Sequence, residues 1–184
     1  MARPPLDLSE LLPELDLIAD DGLRECVAAV WQEIWKESDF EALGDVPIGP
    51  DIPHAHLPHN RAVVTMALAV AEVLERFHGL SVDRDVLVAA ALLQDVSKLV
   101  EMAPAAGGVE QTDIGRAFQH AFWATHKSLE HGLPMEVCEI VMNHTPQSPR
   151  FPASLEGKIL WYVDQLDLIA VSGERWAKRL YLTR

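Results

Sequence analysis

Apolar residues recur at helical spacing along most of the chain. This spacing predicts a helix capped by Asp20 or Asp21, and a long helix that Pro58 introduces and Gly79 ends. Later helices are expected behind a cap at Ser81 or Asp83, from Asp113 to Gly132, from Pro134 to about His144, and from about Ser154 to Leu182. No segment shows sustained strand-type alternation. We therefore predict an all-α fold, a single-domain helical bundle.

Two stretches interrupt the helical pattern near the N-terminus. Residues 1–20 are acidic and punctuated by proline, and residues 38–58 are rich in proline and glycine. We interpret residues 1–57 as a helical segment and an irregular connection that pack on a helical core of residues 58–184. Residues 103–108 are expected to form a flexible loop.

The segment from Asp85 to Val100 differs from the other predicted helices. Its apolar residues fall on all sides from Val86 to Leu93, which is typical of a central helix packed all round. The polar pair Gln94-Asp95 then interrupts it. A carboxylate in an apolar helix is costly unless it is ionised and bound, so the pattern predicts a metal ion or a cationic group beside Asp95.

The charge of the chain restricts its partners. With 15 basic against 28 acidic residues, the net charge is -13, which argues against a nucleic-acid polymer or an anionic membrane as partner. A small phosphorylated molecule is compatible, because a bound divalent cation reverses the local sign. No apolar run approaches the roughly 18 residues of a membrane span. We expect a cytoplasmic protein, and a homo-oligomer is compatible with the sequence.

Several side chains that are able to bind a metal interrupt the apolar pattern of the predicted helices. They are His59, Gln94, Asp95, His120, His144 and Asp164. A single polar residue of this kind is more often structural than functional. Residues on several different helices of a bundle can, however, converge on one interior point. Mixed nitrogen and oxygen ligands suit magnesium or a divalent first-row metal and do not single one out.

The order and local sequence of these residues resemble the HD-domain superfamily of metal-dependent phosphohydrolases, which have an all-helical fold. His59-Asn-Arg-Ala-Val resembles the histidine that opens a helix, and the segment from Ala91 to Lys98 (ALLQDVSK) resembles the motif A-L-L-H-D-I-G-K. Val163-Asp164-Gln-Leu-Asp resembles the late aspartate. His120 and His144 match the intermediate histidines. The resemblance covers about residues 58–170.

The resemblance implies a role for each matched residue. One divalent ion (Mg, Mn, Fe, Ni or Zn) would be held by His59, Gln94, Asp95 and Asp164. Asp95 would also orient a water molecule or accept its proton, and Lys98 would neutralise a substrate phosphate. An alternative for Lys98 is a solvated side chain that complements the helix dipole. His120 and His144 are candidates for a second metal position or a phosphate contact.

The sequence departs from the family pattern at the pair for which the family is named. Gln94 stands where the histidine is expected, and Ser97 replaces a glycine. A glutamine oxygen is a neutral, hard ligand, so affinity for zinc, iron or nickel should fall. The expected function is a metal-dependent phosphohydrolase, a phosphomonoesterase or phosphodiesterase, that acts on a small phosphate ester or nucleotide. The alternatives are a degraded module without metal that has a regulatory or ligand-binding role, and oxidative chemistry at a two-iron site.

Overall fold

The computed structural model describes residues 3–148 and 150–180, and helices dominate them. The helices are α1 (Leu8–Leu11), α2 (Asp21–Glu37), α3 (His56–His78), α4 (Arg84–Leu93), α5 (Lys98–Glu101), α6 (Asp113–Ala117), α7 (Phe122–Glu130), α8 (Met135–Asn143) and α9 (Leu155–Leu180). The described strands form two antiparallel hairpins, β1 (Pro47–Gly49) with β2 (Ile52–Ala55) and β3 (Met102–Ala105) with β4 (Gly108–Gln111). The predicted all-α class is confirmed. None of the described helices combines the length and the apolar composition that a membrane crossing requires.

The predicted ends of three helices are confirmed. The Asp20 side chain accepts a hydrogen bond from the backbone N–H of Leu23 at the start of α2. Asp83 accepts one from Val86 at the start of α4. Gly79 ends α3 in the left-handed conformation, with φ +65°, which glycine adopts without steric cost. Local capping chemistry therefore determines these boundaries.

Helix α4 is the central helix that its apolar composition predicts. Every residue from Val86 to Leu93 is buried, and α4 packs against α2, α3, α8 and α9. Each fully buried valine or leucine contributes about 1.5–3 kcal/mol. The N-terminal segment also packs on this core, since Leu12 and Ile18 are completely buried. The predicted division into residues 1–57 and 58–184 stays a prediction.

The predicted continuous helix from residue 85 to residue 100 is wrong, because α4 ends at Leu93 and a turn precedes α5. Side chains bind the carbonyl groups at the end of α4. Nδ2 of Asn60 donates to the carbonyls of Ala91 and Leu92, each at 3.2 Å, and Nε1 of Trp31 donates to Leu92 at 3.1 Å. These bonds satisfy carbonyls that lack intrahelical partners. A turn of residues 94–97, with hydrogen bonds to the third preceding residue, then leads from α4 to α5.

Two segments predicted to be irregular instead contain the hairpins. The connection of residues 38–58 includes β1 and β2, joined by a turn at Pro50 and Asp51. The expected loop at residues 103–108 forms β3 and β4, joined at Ala106 and Gly107. Gly107 has φ +93°, which a two-residue hairpin turn accommodates through glycine. The strands are too short for an alternating pattern to be visible in the sequence.

The helix predicted from residue 113 to residue 132 is interrupted. Thr112, and not Asp113, caps α6, and the chain is extended at Phe118 before α7 begins. Ala121 has φ +69°, a left-handed conformation that costs a non-glycine residue roughly 1 kcal/mol. This break lies next to His120, a candidate site residue. Strained backbone conformations often occur at functional sites.

The last two helices begin one residue later than expected. Pro134 caps α8 instead of occupying its first turn, and α9 starts at Leu155. Helix α9 departs from helical geometry at Ser172, with φ −144° and ψ 38°. The predicted end at Leu182 lies outside the described residues.

Substitution of Gly115 tests how closely α6 must approach α5. A Cβ atom at this position would lie 2.2 Å from the carbonyl oxygen of Glu101, so we expect Gly115→Ala to lower the free energy of unfolding by about 1–3 kcal/mol. Urea denaturation measures the change. Gly44→Ala is the matched control, because nothing lies within 4 Å of its added Cβ. Equal stabilities of the two variants would contradict the close approach.

Candidate metal centre

The buried carboxylate of Asp95 lies at the centre of a cluster of polar side chains. Its Oδ2 atom is 3.2 Å from Nε2 of His59 and 2.8 Å from Nζ of Lys98. Its Oδ1 atom is 2.9 Å from Nε2 of His120 and 3.5 Å from Nε2 of His144. The turn between α4 and α5 therefore places one carboxylate among four nitrogen atoms from different parts of the chain.

The cluster contains two overlapping groups of potential metal ligands. We call the group of His59, Asp95 and Asp164 site 1, and the group of Asp95, His120 and His144 site 2. Within each group the ligand atoms all lie within 4.8 Å of one another. Asp95 belongs to both sites and offers one oxygen to each. The structure thus brings together five of the side chains that the sequence singled out.

Two of the histidines are supported by carboxylates on the side away from Asp95. Nδ1 of His59 is 2.6 Å from Oδ2 of Asp167, and Nδ1 of His120 is 2.8 Å from Oε2 of Glu101. In each ring, Nε2 is the nitrogen that remains for a ligand. A carboxylate behind a histidine is the common arrangement around metal-binding imidazoles, because it fixes both the tautomer and the orientation.

The third histidine is oriented by the backbone. Nδ1 of His144 donates to the carbonyl oxygen of Val141 at 2.7 Å. In the neutral ring, Nε2 then carries a lone pair that faces Oδ1 of Asp95. A lone pair that faces a carboxylate oxygen requires a proton or a cation between them. All three rings therefore direct Nε2 toward the same carboxylate.

Sequence reasoning missed the two supporting carboxylates. Asp167 is three residues after Asp164, which places both on one face of α9, so helical spacing is a signal that could have identified it. Glu101 offers no comparable signal. It reaches His120 only because α5 and the break after α6 lie side by side.

Gln94 is fully buried, and neither its amide oxygen nor its amide nitrogen has a hydrogen-bond partner among the described residues. Its role as a metal ligand stays a prediction. Lys98 lies against Asp95 and does not extend into solvent, since its side chain is 13% exposed.

Burial and neighbouring negative charge have opposite effects on the pKa values of the histidines. Burial disfavours the charged form of His59, but the carboxylates of Asp164, Asp167 and Asp95 outweigh this effect and raise its pKa well above the ordinary value. Burial also opposes the charging of His120, whose pKa nevertheless rises to about 9 beside Glu101 and Asp95. In the absence of a metal, these two rings are therefore protonated at neutral pH.

Neighbouring positive charges lower the pKa values of two buried carboxylates. Burial alone would raise the pKa of Asp95, but Lys98 and the histidines hold it well below the ordinary range. Burial likewise opposes ionisation of Glu101, and His120 lowers the pKa of that carboxyl. Both groups are ionised at neutral pH. Ionised carboxylates with nearby Nε2 atoms form a donor set that can exchange protons for a cation.

A cavity of about 380 Å³ opens over the cluster, a size that accommodates a small ligand. The β1–β2 turn forms one wall, and the lining includes Asp51, Asp95, Lys98, Glu101, Met102, Gln111, His120, His144, Thr145, Gln147, Asp164, Gln165 and Leu168. Among the described lining residues, Lys98 is the one lysine or arginine, against four carboxylates. The protonated His120 adds one positive charge, and four carboxylates still outnumber it and Lys98, so the cavity without bound cations would repel an anion.

The donor set fits a divalent cation. Nε2 of His59 is buried and makes no well-aligned hydrogen bond with a described residue, although oxygens of Asp95 and Asp164 both lie 3.2 Å away. Ligand atoms that converge at ion-pair distance around a nitrogen without a well-aligned hydrogen bond are what a metal ion would join. Imidazole nitrogen with carboxylate oxygen suits first-row metals, and the carboxylates also suit magnesium.

One comparison with known proteins points to a reaction class. The chain is 32% identical over 112 residues to a dihydroneopterin 2',3'-cyclic phosphate phosphodiesterase of Methanocaldococcus jannaschii. The aligned region is 60% of this chain and 45% of the relative, so the chain matches about half the length of that protein. No family model matches the chain, and no solved structure matches it.

The protonated histidines predict that metal binding releases protons. Because the ion must displace the proton on Nε2, apparent affinity should rise as pH rises from 6.5 toward 9, by about tenfold per pH unit for each histidine displaced. Titration calorimetry of metal-free protein with Mn²⁺, in buffers of different ionisation enthalpy, counts the released protons. Binding without proton release would contradict ligation through His59 or His120.

Proposed function

We propose that the chain is a metal-dependent phosphohydrolase of the HD-domain type that acts on a small phosphate ester. The observation that carries the proposal is Asp95, one buried carboxylate shared by two ligand groups at a cavity. The similarity to a phosphodiesterase supports the same reaction class. The order of His59, Asp95 and Asp164 along the chain supports the HD-domain assignment.

The charge of the cavity favours a phosphodiester over a polyphosphate as substrate. A phosphodiester carries one negative charge, which Lys98 and a bound cation can neutralise, whereas a triphosphate would face the remaining carboxylates. Gln111, Gln147 and Gln165 also line the cavity, and their amides suit a neutral heterocycle. The relative is a phosphodiesterase of a cyclic phosphate that carries a pterin. We therefore propose a small cyclic phosphodiester, of a pterin or a nucleoside, as the substrate class.

The proposed mechanism assigns a task to each residue. His59, Asp95 and Asp164, together with Gln94, would hold one divalent ion, and His120 and His144 would hold a second ion or contact the phosphate. An ion in such a site lowers the pKa of a coordinated water and polarises a phosphoryl oxygen.

Asp95 and Lys98 take part in the reaction itself. Asp95 lies at the cavity, where it can orient the attacking water or accept its proton. Lys98 also lines the cavity, with Nζ 2.8 Å from Asp95, so its side chain can turn from that carboxylate to a phosphate oxygen. Its positive charge then offsets the negative charge of the substrate.

Asp95→Asn tests the shared carboxylate. We expect hydrolysis of 2',3'-cyclic nucleotides, dihydroneopterin 2',3'-cyclic phosphate or bis(p-nitrophenyl) phosphate to fall by at least about a hundredfold, because one ligand oxygen and the proton acceptor are lost. Elemental analysis should show less bound metal. Asp113→Asn is the control, since that carboxylate is exposed at the start of α6. Wild-type protein that binds metal without hydrolysing any of these esters would favour a ligand-binding module.

Lys98→Met tests the phosphate contact separately from metal binding. Removing one charge-assisted hydrogen bond costs about 1.5–3 kcal/mol, so kcat/KM should fall about 10- to 100-fold while metal content is retained. Steady-state kinetics with elemental analysis measures both quantities. Lys158→Met, at an exposed position of α9, should leave them unchanged. A loss of metal in Lys98→Met would show that Lys98 supports the metal ligands instead.

A further inference from the structure

Asp164, a candidate ligand of site 1, has fewer polar partners than Asp95. Two nitrogen atoms of described residues pair with its carboxylate. Nε2 of His59 lies 3.2 Å from Oδ1, and Nε2 of Gln165 donates a hydrogen bond to Oδ2 at 2.8 Å. The two oxygens of Asp164 therefore differ, because Oδ1 faces a histidine of site 1 and Oδ2 is bound by an amide.

The hydrogen bond between Gln165 and Asp164 does not follow from helix geometry alone. Consecutive residues of a helix do not face each other, so the side chain of Gln165 must fold back along α9 to reach its neighbour. Both residues are only 4% exposed. Water therefore competes little for this bond, and its loss would leave Oδ2 without a hydrogen-bond donor among the described residues.

The chemistry of the two groups fixes how the amide is oriented. A metal-binding carboxylate is ionised and only accepts hydrogen bonds, so the amide nitrogen of Gln165, and not its oxygen, must face Oδ2 of Asp164. Both residues line the cavity. The bond uses one N–H of the amide, which leaves the second N–H and the oxygen for a ligand in the cavity.

A bound cation would increase the dependence of Asp164 on Gln165. When Nε2 of His59 binds a metal ion, that nitrogen carries no proton and cannot donate to Oδ1 of Asp164. Gln165 is then the one described residue whose side chain donates to this carboxylate. Hydrogen bonds to ligating carboxylates are a common way in which proteins orient metal ligands.

We propose that Gln165 is a positioning residue that binds Oδ2 of Asp164 and thereby directs Oδ1 to the cation at site 1. This inference rests on the proposed function, because it requires a cation at that site. Gln165 then does for the carboxylate ligand what Asp167 does for His59. Each ligand that comes from a helix flanking Asp95 has its own supporting side chain.

Gln165→Met tests this role through metal affinity. The substitution keeps the length of the side chain and removes the donor, so we expect binding of Mn²⁺ alone to metal-free protein to weaken by about 10- to 100-fold. Electron paramagnetic resonance of free Mn²⁺ gives the affinity. Leu166→Ala, at the exposed next position of α9, is the matched control and should leave the affinity unchanged.

A double-mutant cycle shows whether Gln165 acts through Asp164. In an Asp164→Ala background, Gln165→Met should cause no further loss of Mn²⁺ affinity, because the carboxylate that it orients is absent. In a His120→Ala background, which removes a ligand of site 2, the full loss should remain. Losses that add with Asp164→Ala, or a loss that disappears with His120→Ala, would overturn the proposed role.

The outcomes separate this inference from the proposed function. Unchanged Mn²⁺ affinity in Gln165→Met together with a raised KM would assign the amide to the substrate and overturn its positioning role, while the proposed function would stand. Wild-type protein that binds no Mn²⁺ would contradict the proposed function and this inference with it.

A second measurement applies if Gln165→Met does not fold. In protein labelled with ¹⁵N-glutamine and saturated with Mg²⁺, one Nε2 proton of Gln165 should resonate downfield of ordinary side-chain amides and return upfield in Asp164→Ala. A resonance in the ordinary range in the wild-type protein would overturn the inference.

Discussion

An ionised carboxylate in a low-dielectric interior must be surrounded by positive charge, and Asp95 imposes this requirement on the structure around it. His59, His120, His144 and Lys98 supply nitrogen atoms within 3.5 Å of its two oxygens. The imidazoles are in turn backed by acceptors on their far sides. The negative charge of such a group of side chains is compensated either by protons or by metal ions. Because a metal ion can replace the protons, the group is suitable for a hydrolytic metal centre.

The position of Asp95 depends on how the hydrophobic core ends. Helix α4 is buried on all sides and would continue through residue 95 on propensity alone. Asn60 and Trp31 bind the carbonyl groups of its last turn and allow the chain to change direction. Helix α3 also carries His59, so Asn60, which helps to end α4, is next in sequence to a candidate metal ligand. Core packing and site geometry are therefore coupled through α3.

The charge of the cavity connects this geometry with the proposed substrate. Among the described residues that line it, four carboxylates outnumber Lys98 and the protonated His120, although the proposed substrate is an anion. Bound cations would resolve this conflict, and they would reconcile the net charge of -13 with the proposed phosphate-ester substrate. A cyclic phosphodiester, the substrate class that we propose, carries a single negative charge and therefore requires few basic side chains.

The residue pattern alone predicted the helical class and the burial of α4, and it narrowed two caps to Asp20 or Asp21 and to Ser81 or Asp83, because helical periodicity and capping are local properties. The same pattern singled out His59, Asp95 and Asp164 as candidate ligands, since polar residues in apolar helices are visible without coordinates. Tertiary contacts alone place Asp95 in two groups of potential ligands and Glu101 beside His120. Contacts between distant segments leave no periodic signal. The helix break after Leu93 likewise depends on Asn60 from another helix, so local propensity could not reveal it.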